Sequence, residues 1–206
     1  MLEPPDLSQE KIAACLQEAY GLRTVQVTFL PRGADVNSAV YLAVTDDKKP
    51  HFVKLRRGDF AEIAVALPRF LRDQGIQQII APLPARDGQL WAMLDPFRVI
   101  VYPFVQGRNG YELDLSVRQW GELGTALKRI HTARLPETLL SSMPQESYAP
   151  QWRESVKMFL ERAQAETFTD PWANKLAALL RDKRGEILDL IERAEEFARA
   201  LQARPA

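Results

Sequence analysis

Phe52-Val53-Lys54-Leu55 is an apolar, extended run with a lysine set into it, and the stretches on either side decide what that lysine is for. A lysine on a buried strand is costly unless its ammonium meets an anion, and a helix glutamate or a phosphate group can serve. Downstream, Phe60, Ile63, Ala64 and Leu67 mark a helical face, with Glu62 on the same segment. Upstream, Gly33-Ala34-Asp35-Val36-Asn37-Ser38 separates two extended runs: Val25, Val27 and Phe29 alternate before it, and Ala39 to Val44 follow it. The segment therefore reads as strand, loop, strand, strand, helix, with Lys54 and Glu62 as a pair. Taken alone it is read more readily the plainer way, with Lys54 snorkelling from an edge strand and Glu62 on a solvated helix face.

Further out, Ile12, Leu16, Ala19 and Tyr20 recur at helical spacing behind Asp6 or Ser8 as N-cap, and Gly21 stands where a left-handed C-terminal residue is wanted. Pro68 is expected to kink or interrupt the helix after Lys54, because proline removes a backbone donor and clashes with the preceding turn. Asp73-Gln74-Gly75 reads as that helix's end. Leu90 to Leu94 and Val99 to Val105 predict a hairpin around Asp95-Pro96-Phe97-Arg98. Its second strand runs into Tyr102-Pro103-Phe104-Val105-Gln106-Gly107, where Pro103 ends regular pairing and frees neighbouring backbone groups for other partners. A plain strand exit is an equally good local reading.

Beyond Gln106 to Gly110 the strand pattern stops. Residues 1–105 are accordingly read as one lobe, 106–110 as a linker and 111–206 as a helical second part. Trp120, Leu123, Leu127, Ile130 and His131 form one helical stripe behind Ser116; 133–150, with three prolines, reads as a linker; Asp170-Pro171 starts another helix. His131 closes its helix as a packed or helix-end residue.

Bulk properties exclude several classes. Lysine plus arginine and aspartate plus glutamate each total 27, so no overall field draws nucleic acid or an anionic membrane. A single cysteine, Cys15, forms no internal disulfide, and two histidines assemble no zinc cluster. Neither a signal peptide nor a membrane span is visible, which makes the cytoplasm the expected compartment.

The order of the loop Gly33 to Ser38, strand Lys54, Glu62, the hairpin, Tyr102-Pro103-Phe104-Val105-Gln106-Gly107 and Leu123 to His131 resembles the aminoglycoside phosphotransferase and choline kinase family. The run Tyr102 to Tyr111, with Trp120-Gly121-Glu122-Leu123-Gly124, is most similar to the spectinomycin phosphotransferase branch. The resemblance implies an α+β, protein-kinase-like fold: an N-terminal antiparallel sheet lobe with helices and an incomplete helical C-terminal lobe. It implies ATP and magnesium as cofactors and a small-molecule hydroxyl acceptor of aminoglycoside type. Lys54, oriented by Glu62, would contact phosphates; Gly33, Asn37 and Ser38 would lie in the loop covering them; Tyr102, Pro103, Phe104 and Val105 would hold adenine.

Family members carry a catalytic aspartate and a metal-binding asparagine in a His-x-Asp-x-x-x-x-Asn-like loop. Neither His51, followed by Phe52-Val53, nor His131, followed by Thr132-Ala133, begins such a string. No catalytic residue and no metal ligand is therefore assigned, and the chain is expected to stop short of that loop and to be inactive alone. A chain of this kind should expose apolar surface on its back-half helices, which would favour pairing with a second copy. Two other readings stay open: a non-catalytic nucleotide-binding or interaction module, and a purely structural α+β domain.

Overall fold

The structure, a computed structural model, describes residues 3–32, 35–108 and 110–203. The described chain divides into two compact units, 1–143 and 144–206, and the division falls inside the proline-bearing stretch 133–150.

The first unit is built on an antiparallel sheet of five strands: β1 (Thr24–Leu30), β2 (Ser38–Thr45), β3 (Pro50–Arg57), β4 (Ala92–Leu94) and β5 (Phe97–Pro103), in the order β1-β2-β3-β5-β4. β3 is central, pairing Val53 with Tyr41 on one side and with Val101 on the other. The register of β1 shifts between Thr24 and Gln26, and the opposite edge, β4, is three residues long.

One face is packed under α1 (Gln9–Cys15) and the π-helical turn Leu16–Tyr20 that continues it. Ile12 and Leu16 meet Tyr41, Val53, Leu55, Val99 and Val101 in a single cluster, and each of these side chains is essentially sealed from solvent. Burying one such side chain stabilises the fold by about 1.5–3 kcal/mol, so this face fixes the register of the sheet. Ser8 is the N-cap, accepting from the Lys11 amide, and Gly21 takes the left-handed conformation at φ 72°, both at expected positions. A side chain at Gly21 would also press on the Arg86 guanidinium, 2.8 Å from an ideal Cβ. Cys15 is buried in the same cluster, and burial pushes its thiol up, away from reactivity.

α2 (Ile63–Asp73) runs unbroken through Pro68. Of the kink or interruption expected at Pro68, the interruption does not occur: Val65 and Leu71 are both buried, which offsets the roughly 3 kcal/mol that an interior proline costs. The hairpin forms with a tighter connection than expected, Asp95-Pro96 alone standing between β4 and β5. After β5 come a 3-10 turn (Gly110–Glu112), α3 (Val117–His131) with a Ser116/Gln119 capping box, and α4 (Glu137–Leu140), which falls within the stretch read as a linker. α3 is tied to the end of α2 by the Arg129 guanidinium, which donates to the Gly75 carbonyl at 3.1 Å.

The second unit consists of α5 (Gln151–Ala165), α6 (Pro171–Asp182) and α7 (Arg184–Gln202). Its buried side chains are few and mostly small: Leu160, Ala163, Ala177, Ile191 and Ala198. Lys157 of α5 bonds Glu195 of α7 at 2.8 Å, and Arg181 of α6 donates to the Ala163 carbonyl of α5 at 2.6 Å. Among the described residues no helix is long and apolar enough to cross a membrane.

Candidate functional site

Strand alternation places the site. Val53 and Leu55 of β3 point under α1, so Phe52, Lys54 and Arg56 stand on the opposite face. Across the ladder Lys54 lies between Val40 and Ile100, both buried, so its methylene stem runs over apolar surface while its ammonium reaches outward. Phe52 lies opposite Tyr102, and their rings meet edge to face with centroids 6.3 Å apart. Burial pushes the Tyr102 phenol upward, so it stays neutral at ordinary pH.

Two cavities open on this face, and Lys54 and Tyr102 line both. One, of about 630 Å³, is closed by Arg56, Asp59, Phe60 and the start of α2 at Ala64 and Val65. The other, of about 800 Å³, is bordered by Leu30, Arg32, Phe52, Ile80 and the segment Pro103 to Gly107. Both volumes fall in the 300–1,000 Å³ range of small-molecule sites. Beyond β5, residues 104–107 make no backbone–backbone hydrogen bond among the described residues, which leaves their amides and carbonyls without a main-chain partner.

Lys54, Arg56 and Arg32 give the two cavities a cationic lining. Among the described residues no carboxylate lies within ion-pair distance of Lys54. The expected Lys54–Glu62 pair is therefore not formed. Glu62 is an exposed N-cap preceding α2, since the helix begins only at Ile63, and it lines a third cavity with Lys11, Glu18 and Trp91. Of the loop residues, Asn37 and Ser38 are held by Asp35, whose carboxylate accepts from the Asn37 amide at 2.9 Å and the Ser38 hydroxyl at 2.8 Å. Gly33 lies outside the described residues.

The structure thus brings Lys54, Tyr102, Pro103, Phe104 and Val105 to one place and adds Arg56, Arg32 and Phe52. Phe52 and Arg56 carried a legible signal, being two residues either side of Lys54 on a strand; Arg32 carried none. Phe60, also on the lining, stacks edge to face on Trp91, with the Arg98 guanidinium 5.2 Å from each ring centre, which anchors the approach to α2.

These residues fit a nucleotide. An unpaired ammonium suits phosphate, the Phe52–Tyr102 aromatic wall suits a flat base, and free main-chain groups at 104–107 suit its polar edge. Among the described residues no group of three acidic, histidine or cysteine side chains gathers to hold a metal ion, and Asp59 is the one carboxylate on the lining of the two cavities.

The model of the APH phosphotransferase enzyme family matches residues 28–206. Among solved structures, spectinomycin phosphotransferase APH(9)-Ia in complex with ADP and spectinomycin is 28% identical, with a TM-score of 0.85 over 98% of this chain and 60% of that one. The AMP-bound complex of APH(9)-Ia is 26% identical, with a TM-score of 0.80 over 97% of this chain and 60% of that one. An aminoglycoside phosphotransferase from Alicyclobacillus acidocaldarius subsp. acidocaldarius DSM 446 shares the fold, with a TM-score of 0.58 at 15% identity over 92% of this chain and 54% of that one. No curated protein sequence matches. The chain spans 60% of the length of the spectinomycin phosphotransferases it resembles. With its antiparallel sheet, its strand lysine over two cavities and a family match covering most of its length, the chain belongs to the phosphotransferase enzyme family.

Proposed function

We propose that this chain carries the nucleotide-binding lobe of an ATP-dependent phosphotransferase that acts on a hydroxyl of an aminoglycoside or aminocyclitol, of the kind APH(9)-Ia binds, with the cytoplasm as its compartment. The observation that carries the reading is Lys54: half-buried, unpaired with any described carboxylate, and lining both cavities. Its ammonium would neutralise phosphate charge, while Phe52 and Tyr102 flank the base and the main chain of 104–107 meets the base's edge. Lobes of this kind act by positioning and charge neutralisation. When bound, magnesium would add further neutralisation of the phosphates, and no residue here is assigned to it.

The acceptor oxygen would attack the terminal phosphorus, the bridging P–O bond to ADP would break, and the acceptor proton would pass to a base. No residue of these 206 is assigned as that base, since none stands in a His-x-Asp-x-x-x-x-Asn string. Lys54 and the two cavities fit equally a second reading, a module that binds nucleotide without transferring phosphate. Incubation with spectinomycin and γ-labelled ATP separates the two, because labelled spectinomycin is incompatible with the second.

Calorimetric titration with ATP and magnesium tests the binding itself, run beside Lys54→Ala with folding checked by circular dichroism. Loss of a charge-assisted contact to phosphate should weaken binding at least about tenfold. A folded wild-type chain that releases no binding heat, or a variant that binds as the wild type does, would overturn the reading.

A further inference from the structure

Arg56 does more than add a cation to the cavity it lines with Lys54. Its Nη1 donates to Asp35 Oδ2, and Nε and Nη2 both donate to the Asp59 carbonyl at 3.3 Å. One guanidinium on β3 therefore grips two separate segments: the β1–β2 connection through Asp35 and the β3–α2 connection through Asp59. Asp35 is the hub of the first. Besides Arg56, its carboxylate accepts from the Asn37 amide and the Ser38 hydroxyl, and its carbonyl accepts from the Ser38 amide at 3.1 Å. The Asn37 carbonyl in turn accepts from the Arg57 amide at 3.0 Å. These bonds to the carboxylate, led by the Asn37 amide, hold the Asp35 carboxyl below the usual carboxylate range. Leu30 at the end of β1 and Arg32 just after it line the neighbouring cavity.

We propose that the Asp35–Arg56 pair is a latch: Arg56 is a positioning residue that fixes residues 35–38, where the connection enters β2, and through them the phosphate end of the nucleotide site. The inference rests on the nucleotide reading given above for its second half only, because the latch itself is a property of the empty chain. A planar guanidinium suits the role, since it can hold a carboxylate and a carbonyl at once, which a lysine ammonium on a flexible stem does less well.

The latch predicts a sign that direct electrostatics does not. Asp35→Asn removes a negative charge near bound phosphates, so charge alone would make ATP bind more tightly. Loss of the latch would make it bind more weakly, because the turn must then be ordered at the moment of binding. The test combines amide hydrogen exchange on the ligand-free 206-residue chain with calorimetry using ATP and adenosine, on wild type, Asp35→Asn, Arg56→Met, Arg56→Lys and the Asp35→Asn/Arg56→Met double variant.

Exchange at Asn37 and Ser38 should rise roughly two- to fivefold in Asp35→Asn and Arg56→Met, the size expected of a partly exposed ion pair. ATP affinity should fall by a similar factor, adenosine affinity should hold, Arg56→Lys should recover part of the loss, and the double variant should match the singles. Unchanged exchange in folded variants, or ATP bound equally or more tightly by Asp35→Asn, would overturn the latch. A wild-type chain that binds neither ATP nor adenosine defeats the nucleotide reading and, with it, the second half of the inference; the exchange measurement then decides the latch by itself.

Discussion

Val53 and Leu55 are fully buried beneath α1, and Lys54, the residue between them, is turned to the cavities by that fact alone. His51 obeys the same alternation on the core side, at the start of β3 and opposite Ala43 and Pro103. Burial there lowers its imidazole below the ordinary 6.5. The unfolded chain therefore takes up a proton at a higher pH than the fold does. Stability is fully present above 6.5 and is lost as pH falls through the folded value. Urea unfolding between neutral pH and pH 5 should show this decline, and His51→Gln should reduce it; identical slopes for the two chains would refute the assignment. Single residues were legible in the sequence where period two governs them, as at Lys54 and Tyr102. They were not legible where a partner is far along the chain. Arg56 and Asp35 are 21 residues apart and are brought together only by the fold. Glu62 misled because it lines the third cavity, with Lys11, Glu18 and Trp91, and neither of the two that Lys54 lines.

Elements followed local chemistry closely where caps are strong. Asp170 accepts from the Ala173 amide at 2.7 Å and Pro171 opens α6, as that dipeptide in the sequence implies. Asp170→Ala should destabilise the helical unit by about 1 kcal/mol, while Asp170→Asn should cost far less because the side chain still accepts. A comparison of midpoints in denaturant checks this, and equal midpoints for Ala and wild type would contradict it. Pro68 shows the opposite case. Its local effect argued for a kink or a break, and the burial of Val65 and Leu71 on the same helix kept the helix continuous. The hairpin around Asp95-Pro96 and the strand exit at Pro103 were visible because proline acts at its own position. α4, four residues between prolines and serines, has no periodicity to announce it.

At the scale of the whole molecule, the helical unit exposes much of its apolar content. Trp152 and Trp172 are 76% and 75% exposed, and Phe159, Leu176, Leu179, Leu190 and Phe197 are all at least half so. Phe159 and Leu176 also border a cavity of about 400 Å³ between α5 and α6. Such a surface is expected to seek cover, and a second copy of the chain is the partner always present at high concentration. Sedimentation should show mass rising with protein concentration, and Leu176→Glu should lower it towards the monomer. A sharp monomer boundary at every concentration would rule this out. The sheet's rims point to how such association would proceed. β4 offers only three residues to a neighbouring strand, and β1 is irregular between Thr24 and Gln26, so neither edge presents a long, flat ladder for another backbone to extend. Assemblies of this chain should accordingly remain helix-to-helix and dissolve on dilution, with no growth into fibrils and no binding of amyloid dyes.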